Sequence, residues 1–381
     1  MGLCGLVGGT IYIKIIISSN LEMNRIIMHI DLDYFYAQLE ELRNPQLAQK
    51  PLVVCMYSGR TLDSGAVASA NYAARQLGVH AGMPIIYAKK KAPAAAFLPA
   101  DRPHYEDVSG RIMALFAGFA DRFEQESIDE ASLDVSAKCA GSYVEAKKLA
   151  EKIKWKLHED ERLSCSVGVG PNKLIAKMAA GHRKPDGLVV VSSIEVKDFL
   201  RSKAIADLHG VGEKTAGALA QKGIKTIVQL AAAPVSELQE SFGEKRGLLL
   251  HEHALGIDND PVEEKAARQI SRIVTLRENS SDPNAIAVHC SPLAADIARK
   301  AKDANVLFRT ITILLVSDRI ENITRSTTLP GPSQSEVDIS DSCRGLLGEF
   351  FEKNSQFVCR RFGIRVSNFE EPKAQKRIFE Y

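Results

Sequence analysis

The chain has 381 residues, 45% hydrophobic, 25% charged and 6% aromatic, with a formal net charge of +2. This composition excludes a wholly disordered, collagen-like or membrane-embedded protein, and the length suits two to three domains of ~150 residues each. The balanced charge neither demands nor forbids a nucleic-acid partner, because a basic groove can sit inside a neutral total. The seven cysteines, at 4, 55, 139, 165, 290, 343 and 359, are odd in number and form no CxxC pair. They read as reduced thiols of a cytoplasmic protein, not as a disulfide framework or zinc site.

Residues 1–23 come first. Their apolar run, 5–17, is interrupted by Lys14, is too short to span a bilayer and lacks the leading positive charge of a secretory signal. It reads as an extension without function, unstructured or a non-native start, with Met23 or Met28 as an internal start. Residues 25–33 read as a strand that ends in acid: Ile26, Met28, Ile30 and Leu32 on one face, Ile27, His29, Asp31 and Asp33 on the other. A helix over 34–42 follows, stopped by Asn44-Pro45. Residues 51–57 (PLVVCMY) form a buried strand, 71–77 a helix closed by Gly78, and 92–100 a brief strand among prolines. An amphipathic helix is expected over 108–123, a strand over 127–134, a helix over 144–158 and a strand over 164–169. Pro171 is expected at the first position of the next helix, and Gly168-Val169-Gly170 as the strand-to-helix turn before it. Residues 25–190 thus alternate strand and helix around one sheet.

Beyond Val191 the pattern changes. Residues 194–256 are short helices with glycine turns, and 258–267 (DNDPVEEKAA) read as a polar linker. Strands return at 271–275, 310–316, 324–329 and 360–366, with helices near 290–303 and 338–353, which describes a small α+β domain.

Asp31 and Asp33, two apart on a strand, project from one face. Two such acids repel unless a cation lies between them or one keeps its proton. Oxygen-only ligands suit Mg²⁺ or Mn²⁺. Taken alone, Asp-x-Asp reads first as a solvated strand end, since acids at strand ends are common. Asp129-Glu130 is a second acid pair; neighbours on an ideal strand point apart, so both reach one site only at a turn or bulge. Taken alone, it is equally a polar hairpin tip. Together the pairs describe carboxylates from two strands able to hold two cations for phosphoryl or nucleotidyl transfer.

Asp31-Leu32-Asp33-Tyr34-Phe35-Tyr36, the run Gly65-Ala66-Val67-Ala68-Ser69-Ala70-Asn71-Tyr72-Ala73-Ala74-Arg75, and Ser127-Ile128-Asp129-Glu130-Ala131 strongly resemble a Y-family translesion DNA polymerase, of the archaeal DinB or DNA polymerase IV type. The resemblance runs in order over residues 24–368. It implies an α+β multidomain fold shaped as a right hand: a palm with a ferredoxin-like αβ sheet (24–36 and 101–190), fingers (37–100), a helical thumb (191–257), a linker (258–267) and an α+β little finger (268–368). It implies a low-fidelity, template-directed DNA polymerase without proofreading exonuclease, acting on primer-template DNA and dNTP, monomeric and with no membrane partner.

The site residues implied by the resemblance are carried over one by one. Asp31, Asp129 and Glu130 match the metal-binding and catalytic carboxylates, and the backbone carbonyl of Leu32 matches the peptide ligand, for two Mg²⁺ ions or Mn²⁺ in their place. Asp33 accompanies them and ranks below them as a ligand. Tyr36 matches the steric gate against a ribose 2′-OH; without the flanking acids it would read as a core aromatic. Phe35, Tyr36, Ser69, Tyr72, Arg75 and Lys184 match the dNTP site. Tyr72 and Arg75, three apart, share a helix face and offer a hydroxyl and a guanidinium fork to a triphosphate. A small Ser69 leaves the nascent pair roomy, and an open site rejects mismatches poorly.

Residues 208–216 (LHGVGEKTA) have the form of a helix-hairpin-helix, with Gly210, Gly212 and Lys214 at a DNA phosphate. Such turns also merely join helices. Arg272, Arg277, Arg325 and Arg361, with Arg360 and Arg365, fall in or beside strands of the little finger, where they can track a phosphate backbone or simply cover a solvated face. The tail resembles a sliding-clamp peptide anchored by Gln375, Ile378 and Tyr381, although no second aromatic follows Tyr381. A nucleotidyl cyclase shares a related palm but has no use for the hairpin turn or the last domain. A binding-only DNA factor would be hindered by acids facing phosphates.

Overall fold

The computed structural model describes residues 24–264 and 267–371. In chain order the first elements are β1 (Ile27–Leu32), α1 (Phe35–Arg43), β2 (Leu52–Tyr57), β3 (Gly65–Ala70), α2 (Tyr72–Gln76), α3 (Ile85–Lys91), β4 (Ala96–Pro99) and α4 (Arg102–Gly118). Then come β5 (Arg122–Gln125), β6 (Glu130–Asp134), α5 (Tyr143–Glu161), β7 (Cys165–Gly170), α6 (Lys173–His182) and β8 (Leu188–Val190). Five helices follow: α7 (Val196–Arg201), α8 (Glu213–Gln221), α9 (Ile227–Ala232), α10 (Val235–Phe242) and α11 (Glu244–Ala254). The chain closes with β9 (Gln269–Ser280), α12 (Pro283–Ala287), α13 (Cys290–Asp303), β10 (Leu307–Ser317), β11 (Asn322–Ser333), α14 (Glu336–Lys353) and β12 (Cys359–Glu370).

The described residues form two compact units, one of residues 24–33 and 110–263, the other of residues 34–109, 264 and 267–371. The first unit holds a five-stranded sheet in the order β5-β6-β1-β7-β8. β1 is its centre, antiparallel to both β6 and β7. Ile27, Met28 and Ile30 are fully buried, so β1 carries an apolar run and not a half-solvated alternation. The sequence expectation of one sheet over 25–190 is corrected here: β2, β3 and β4 form a separate three-stranded sheet in the second unit. Phe123 likewise belongs to β5 and not to the preceding helix, because α4 ends at Gly118.

Gly168 and Gly170 lie inside β7, not in a turn after it. A Cβ on Gly168 would stand 2.0 Å from the carbonyl oxygen of Ala176 and 2.2 Å from the amide of Ala180, so glycine lets α6 lie directly on the strand. Pro171 precedes the helix cap: Asn172 caps α6 by accepting from the Ile175 amide at 2.9 Å. The buried face of α6 (Leu174, Ile175, Met178) then packs with Leu200, Leu219, Leu230, Leu238 and Leu250, tying α7–α11 to the sheet.

The first part of the expected linker makes contacts of its own. The Leu174 amide donates to Asp258 Oδ2 (2.9 Å), and Val262 is buried against Ile27 and Ala176. Residues 258–263 are therefore docked on the first unit.

In the second unit β2 pairs antiparallel with β3 and parallel with β4. The other sheet is antiparallel, order β11-β10-β12-β9. Its core joins Ile311, Ile313, Phe362 and Ile364 to α13 and α14 through Ile297, Leu347 and Phe350. Arg60 Nε, in the turn after β2, donates to the Arg277 carbonyl at 3.1 Å. Cys55, Cys139, Cys165, Cys290, Cys343 and Cys359 are buried free thiols. Among the described residues no helix is long and apolar enough to cross a membrane. Residues 1–23 lie outside the described part.

The close approach at Gly168 sets a contrast between two glycines. Gly168→Ala should destabilise the fold by about 3 kcal/mol or more, since backbone and not a flexible side chain must move. Gly110→Ala, in mid-α4 with nothing near its absent Cβ, should stabilise by roughly 0.5–1 kcal/mol. Chemical denaturation of both variants checks the difference; equal effects would show that α6 does not press on β7.

Candidate active site

The antiparallel register of β1 and β6 puts Asp31 directly opposite Glu130. Cross-strand partners share a face of the sheet, so both carboxylates project on the same side. Just before β6 the chain bends. The amides of Glu126 and Ser127 both donate to the Glu130 carbonyl (3.0 and 3.2 Å), and Asp129 accepts from Ser127 Oγ at 2.6 Å. This is the bend that the adjacent acids require. The Asp129 carbonyl takes the Leu32 amide at 2.9 Å, which places the Leu32 peptide beside it.

The structure brings Asp31 and Glu130 together with a third group, His29, their ligand atoms lying within 4.8 Å of one another. The Asp129 carboxylate turns to the Ser127 hydroxyl instead. Asp33, grouped with Asp31 by alternation, departs from that expectation: β1 ends at Leu32, and Asp33 is fully buried. It accepts from Ser166 Oγ (2.7 Å), Ser164 Oγ (3.0 Å) and the Asp186 amide (2.8 Å). Those bonds tie β1 to β7 and to the loop before β8, so Asp33 is an internal fastener.

Cations neutralise this acid cluster. Lys184 Nζ lies 2.5 Å from Asp31 Oδ2, and Lys177 Nζ lies 3.0 Å from both Glu126 Oε2 and Glu130 Oε2. His29 Nδ1 faces Ser132 Oγ (3.3 Å) and Glu126 (3.5 Å), while Nε2 faces Glu130 Oε1 at 3.8 Å. Burial pushes the Asp31 carboxyl up to about 6 against the pull of Lys184, with Glu130 and Asp129 adding to the rise. Glu130 is held down to about 2 by His29 and Lys177, which outweigh burial. Burial disfavours protonated His29, yet Glu126 and Glu130 raise it overall. Asp31, Glu130, Lys177, Lys184, Lys203 and His209 line a cleft of about 520 Å³.

The second unit holds the expected residues Phe35, Tyr36, Ser69, Tyr72 and Arg75. Tyr34 opens α1 in a left-handed conformation (φ 37°), and Ser69 Oγ donates to its carbonyl at 3.1 Å. Tyr36 stacks on Tyr105 at 4.4 Å with 19° between the rings, and Tyr105 donates to Glu40 at 2.7 Å. Arg75 lies 5.0 Å over the Tyr72 ring and donates Nε to the Ala70 carbonyl (2.8 Å), as helix spacing predicts. The Phe35 side chain is core, 2% exposed, and its backbone amide lies at the helix start. Ser69 is 7% exposed.

Sequence reasoning did not single out His29, Glu126, Lys177 or Tyr105. His29 had a usable signal, two residues before Asp31 on the same strand face. Lys177 had none, because a lysine on an amphipathic helix reads as solvated.

Comparison with known proteins places the chain. Residues 30–181 match the impB/mucB/samB family, 267–378 its C-terminal domain, and 206–258 the thumb domain of DNA polymerase iota. DNA polymerase IV 1 of Methanosarcina mazei is 41% identical over 366 residues, covering 94% of this chain and all of that protein. DNA polymerase IV of Saccharolobus solfataricus is 38% identical over 355 residues, covering 93% and 99%. A Y-family chimera of Dbh and Dpo4 superposes with a TM-score of 0.85 at 37% identity, and an insertion ternary complex of Dbh DNA polymerase with 0.68 at 37%; each match spans 91% of this chain and 100% of the solved one. The chain belongs to the Y-family DNA polymerases.

In this polymerase the expected nucleic-acid residues are distributed unevenly. Gly210 has φ +88° and its carbonyl takes Arg246 Nη2 at 2.6 Å; Gly212 caps α8, and Lys214 is exposed in its first turn. On β12, Arg361 and Arg365 alternate with buried Phe362, Ile364 and Val366, so they occupy the sheet face away from α13 and α14. Arg277 is exposed near the end of β9. Arg272 and Arg325 do not share the open face. Arg272 is paired with Asp296 of α13, and Arg325 lies 5.4 Å over the Phe350 ring of α14. Gln375, Ile378 and Tyr381 lie outside the described residues.

The raised Asp31 carboxyl gives a stability test. An acid whose folded pKa (about 6) exceeds its unfolded value, ~3.9, favours the fold only while protonated. That contribution is whole below about pH 4 and is lost as pH rises through 6. In EDTA, Asp31→Asn should therefore raise the melting temperature by a few degrees at pH 7.5, and the gain should vanish near pH 4. A thermal melt series in which Asp31→Asn is no more stable at pH 7.5 would refute the burial penalty.

Proposed function

We propose that this polymerase performs its family's template-directed DNA synthesis through Asp31, Asp129 and Glu130, which hold two divalent ions, Mg²⁺ or alternatively Mn²⁺. The observation that carries this is the β1–β6 register, which sets Asp31 against Glu130 with the Asp129 bend alongside. The donor set fits such ions: hard carboxylate oxygens from two strands, supplemented by the Leu32 carbonyl, and a charge that already draws two ammonium groups. When bound, the ions supply Lewis-acid activation of the primer 3′-OH and charge neutralisation at the triphosphate and leaving pyrophosphate.

The chain's own residues do the rest. Lys184, within reach of Asp31, offers an ammonium group to the triphosphate. Tyr72 and Arg75 offer a hydroxyl and a guanidinium on one helix face, and the amides of Phe35 and Tyr36 add the donors of a helix start. Tyr36 is the gate against ribose; its stack on Tyr105, fixed in turn by Glu40, keeps the ring from yielding. The palm is assigned to 24–36 and 101–190, the fingers to 37–100, the thumb to 191–257 and the little finger to 268–368. The Gly210–Lys214 turn binds a DNA phosphate. Arg361 and Arg365 face the duplex backbone; the buried Nε of Arg365 has no hydrogen-bond partner among the described residues. The polymerase works as a monomer on primer-template DNA and dNTP, with residues 375–381 as its contact to a sliding clamp.

Primer extension with Mg²⁺ tests the assignment. Asp129→Ala and Glu130→Ala should each lower extension by at least ~10²-fold, with circular dichroism unchanged; extension equal to wild type would remove them from the site. Tyr36→Ala should raise ribonucleotide incorporation by a comparable factor, and unchanged sugar selectivity would end its gate role.

A further inference from the structure

We infer that Lys177 is an exchangeable counter-cation of Glu130: it and a divalent ion compete for the same carboxylate, and Glu126 is the anchor that keeps the lysine when the ion arrives. This rests on the reading of Glu130 as a metal ligand.

Both oxygens of Glu130 already have a neighbour. Oε2 meets Lys177 Nζ at 3.0 Å, and Oε1 faces His29 Nε2 at 3.8 Å. His29 is 1% exposed and sits on the central strand, so it stays. Lys177 is the neighbour that can leave. Its side chain is 22% exposed and borders the cleft that Asp31 and Glu130 also line. Lysine joins a compact charge to four rotatable carbons. Its helix does not move with it, because Gly168 presses α6 onto β7 and Lys173, one turn earlier, is locked to Glu124 at 2.6 Å with both groups buried. The two lysines are therefore built for different tasks: Lys173 is shut into the fold, and Lys177 bridges two acids at the cleft.

Glu126 is placed to receive it. Its Oε2 is also 3.0 Å from Lys177 Nζ, and its Oε1 takes the Ser132 hydroxyl at 2.6 Å, so the carboxylate is fixed in position. An ion of charge +2 on Glu130 repels an ammonium a few ångströms away. Lys177 can then concentrate on Glu126 without leaving an unpaired buried charge. Without ions the same lysine neutralises Glu130 and keeps the two strand acids from repelling. The consequence is a site that binds divalent ions weakly alone and more tightly once nucleotide phosphates offer further cation partners.

The test measures Mn²⁺ binding to the full chain without nucleotide, by the loss of the free-ion electron paramagnetic resonance signal. Lys177→Met should bind Mn²⁺ about 5- to 10-fold more tightly. Glu126→Gln, which leaves Lys177 to Glu130 alone, should bind it more weakly by a similar factor, and Lys177→Arg should stay near wild type. A folding defect would not move the first two in opposite directions. Equal or weaker binding by Lys177→Met overturns the exchange. Asp31→Asn separates the two levels: if it leaves wild-type Mn²⁺ binding intact, the ions do not use this cluster, and the metal reading falls together with the inference.

Discussion

The antiparallel pairing of β1 with β6 is the constraint on which the site depends. One residue of slip would turn Glu130 to the opposite face of the sheet and leave Asp31 without its partner. Three features hold the register: buried apolar residues on both strands, the double acceptance by the Glu130 carbonyl, and the Leu32 amide bonded to Asp129. Asp33 secures the other side, spending its carboxylate on two serines and a backbone amide. An acid that looks catalytic by spacing thus serves by fixing the strand from which its neighbour projects.

That geometry creates an electrostatic problem that the fold solves locally. Asp31 and Glu130 are close, partly buried and on rigid strands, so they cannot separate to relieve repulsion. The observed response is asymmetric. Asp31 is pushed toward its neutral form by burial, whereas Glu130 is held ionised by His29 and Lys177. Two neighbouring acids with opposite shifts show one environment driving paired groups apart. The lysines are part of the same balance, which is why they come from α6 and from the loop before β8, elements that other contacts hold still.

The sequence made most of the fold legible, and the failures have identifiable causes. The strands around Asp31, the β2 strand and the four strands after Gln269 follow from period and β-branched content. The single sheet over 25–190 failed because alternation of strand and helix says nothing about which strands pair; β2 chooses β3 and β4 through register contacts that no local pattern encodes. Gly168 and Gly170 were misread as a turn because the reason for glycine there is a helix backbone pressing from outside the strand. In the site, the facing of Asp31 and Glu130 was legible from two acid pairs on two strands, whereas the turn of the Asp129 carboxylate to Ser127 was not. The pairing of Lys177 with Glu126 and Glu130 was not legible either, since it comes from what lies across from α6 and not from its own neighbours in sequence.

The same distinction sorts the arginines of the last sheet. Counting arginines in strands treats them as equivalent, but position relative to the core separates them. Arg361 and Arg365 alternate with buried aromatic and aliphatic residues and so must emerge on the uncovered face, where hydroxyls such as Thr312 and Ser326 also lie, bonded to each other at 2.9 Å. Arg272 and Arg325, on strands β9 and β11 at the two sheet edges, reach back to α13 and α14 and close the flanks of the core with their stems. Loss of Arg272 or Arg325 would therefore act through the packing of the helices, while loss of Arg361 or Arg365 would act through the charge of the open face. A strand arginine's role follows from its parity against the core, and that parity is fixed as soon as the register is known.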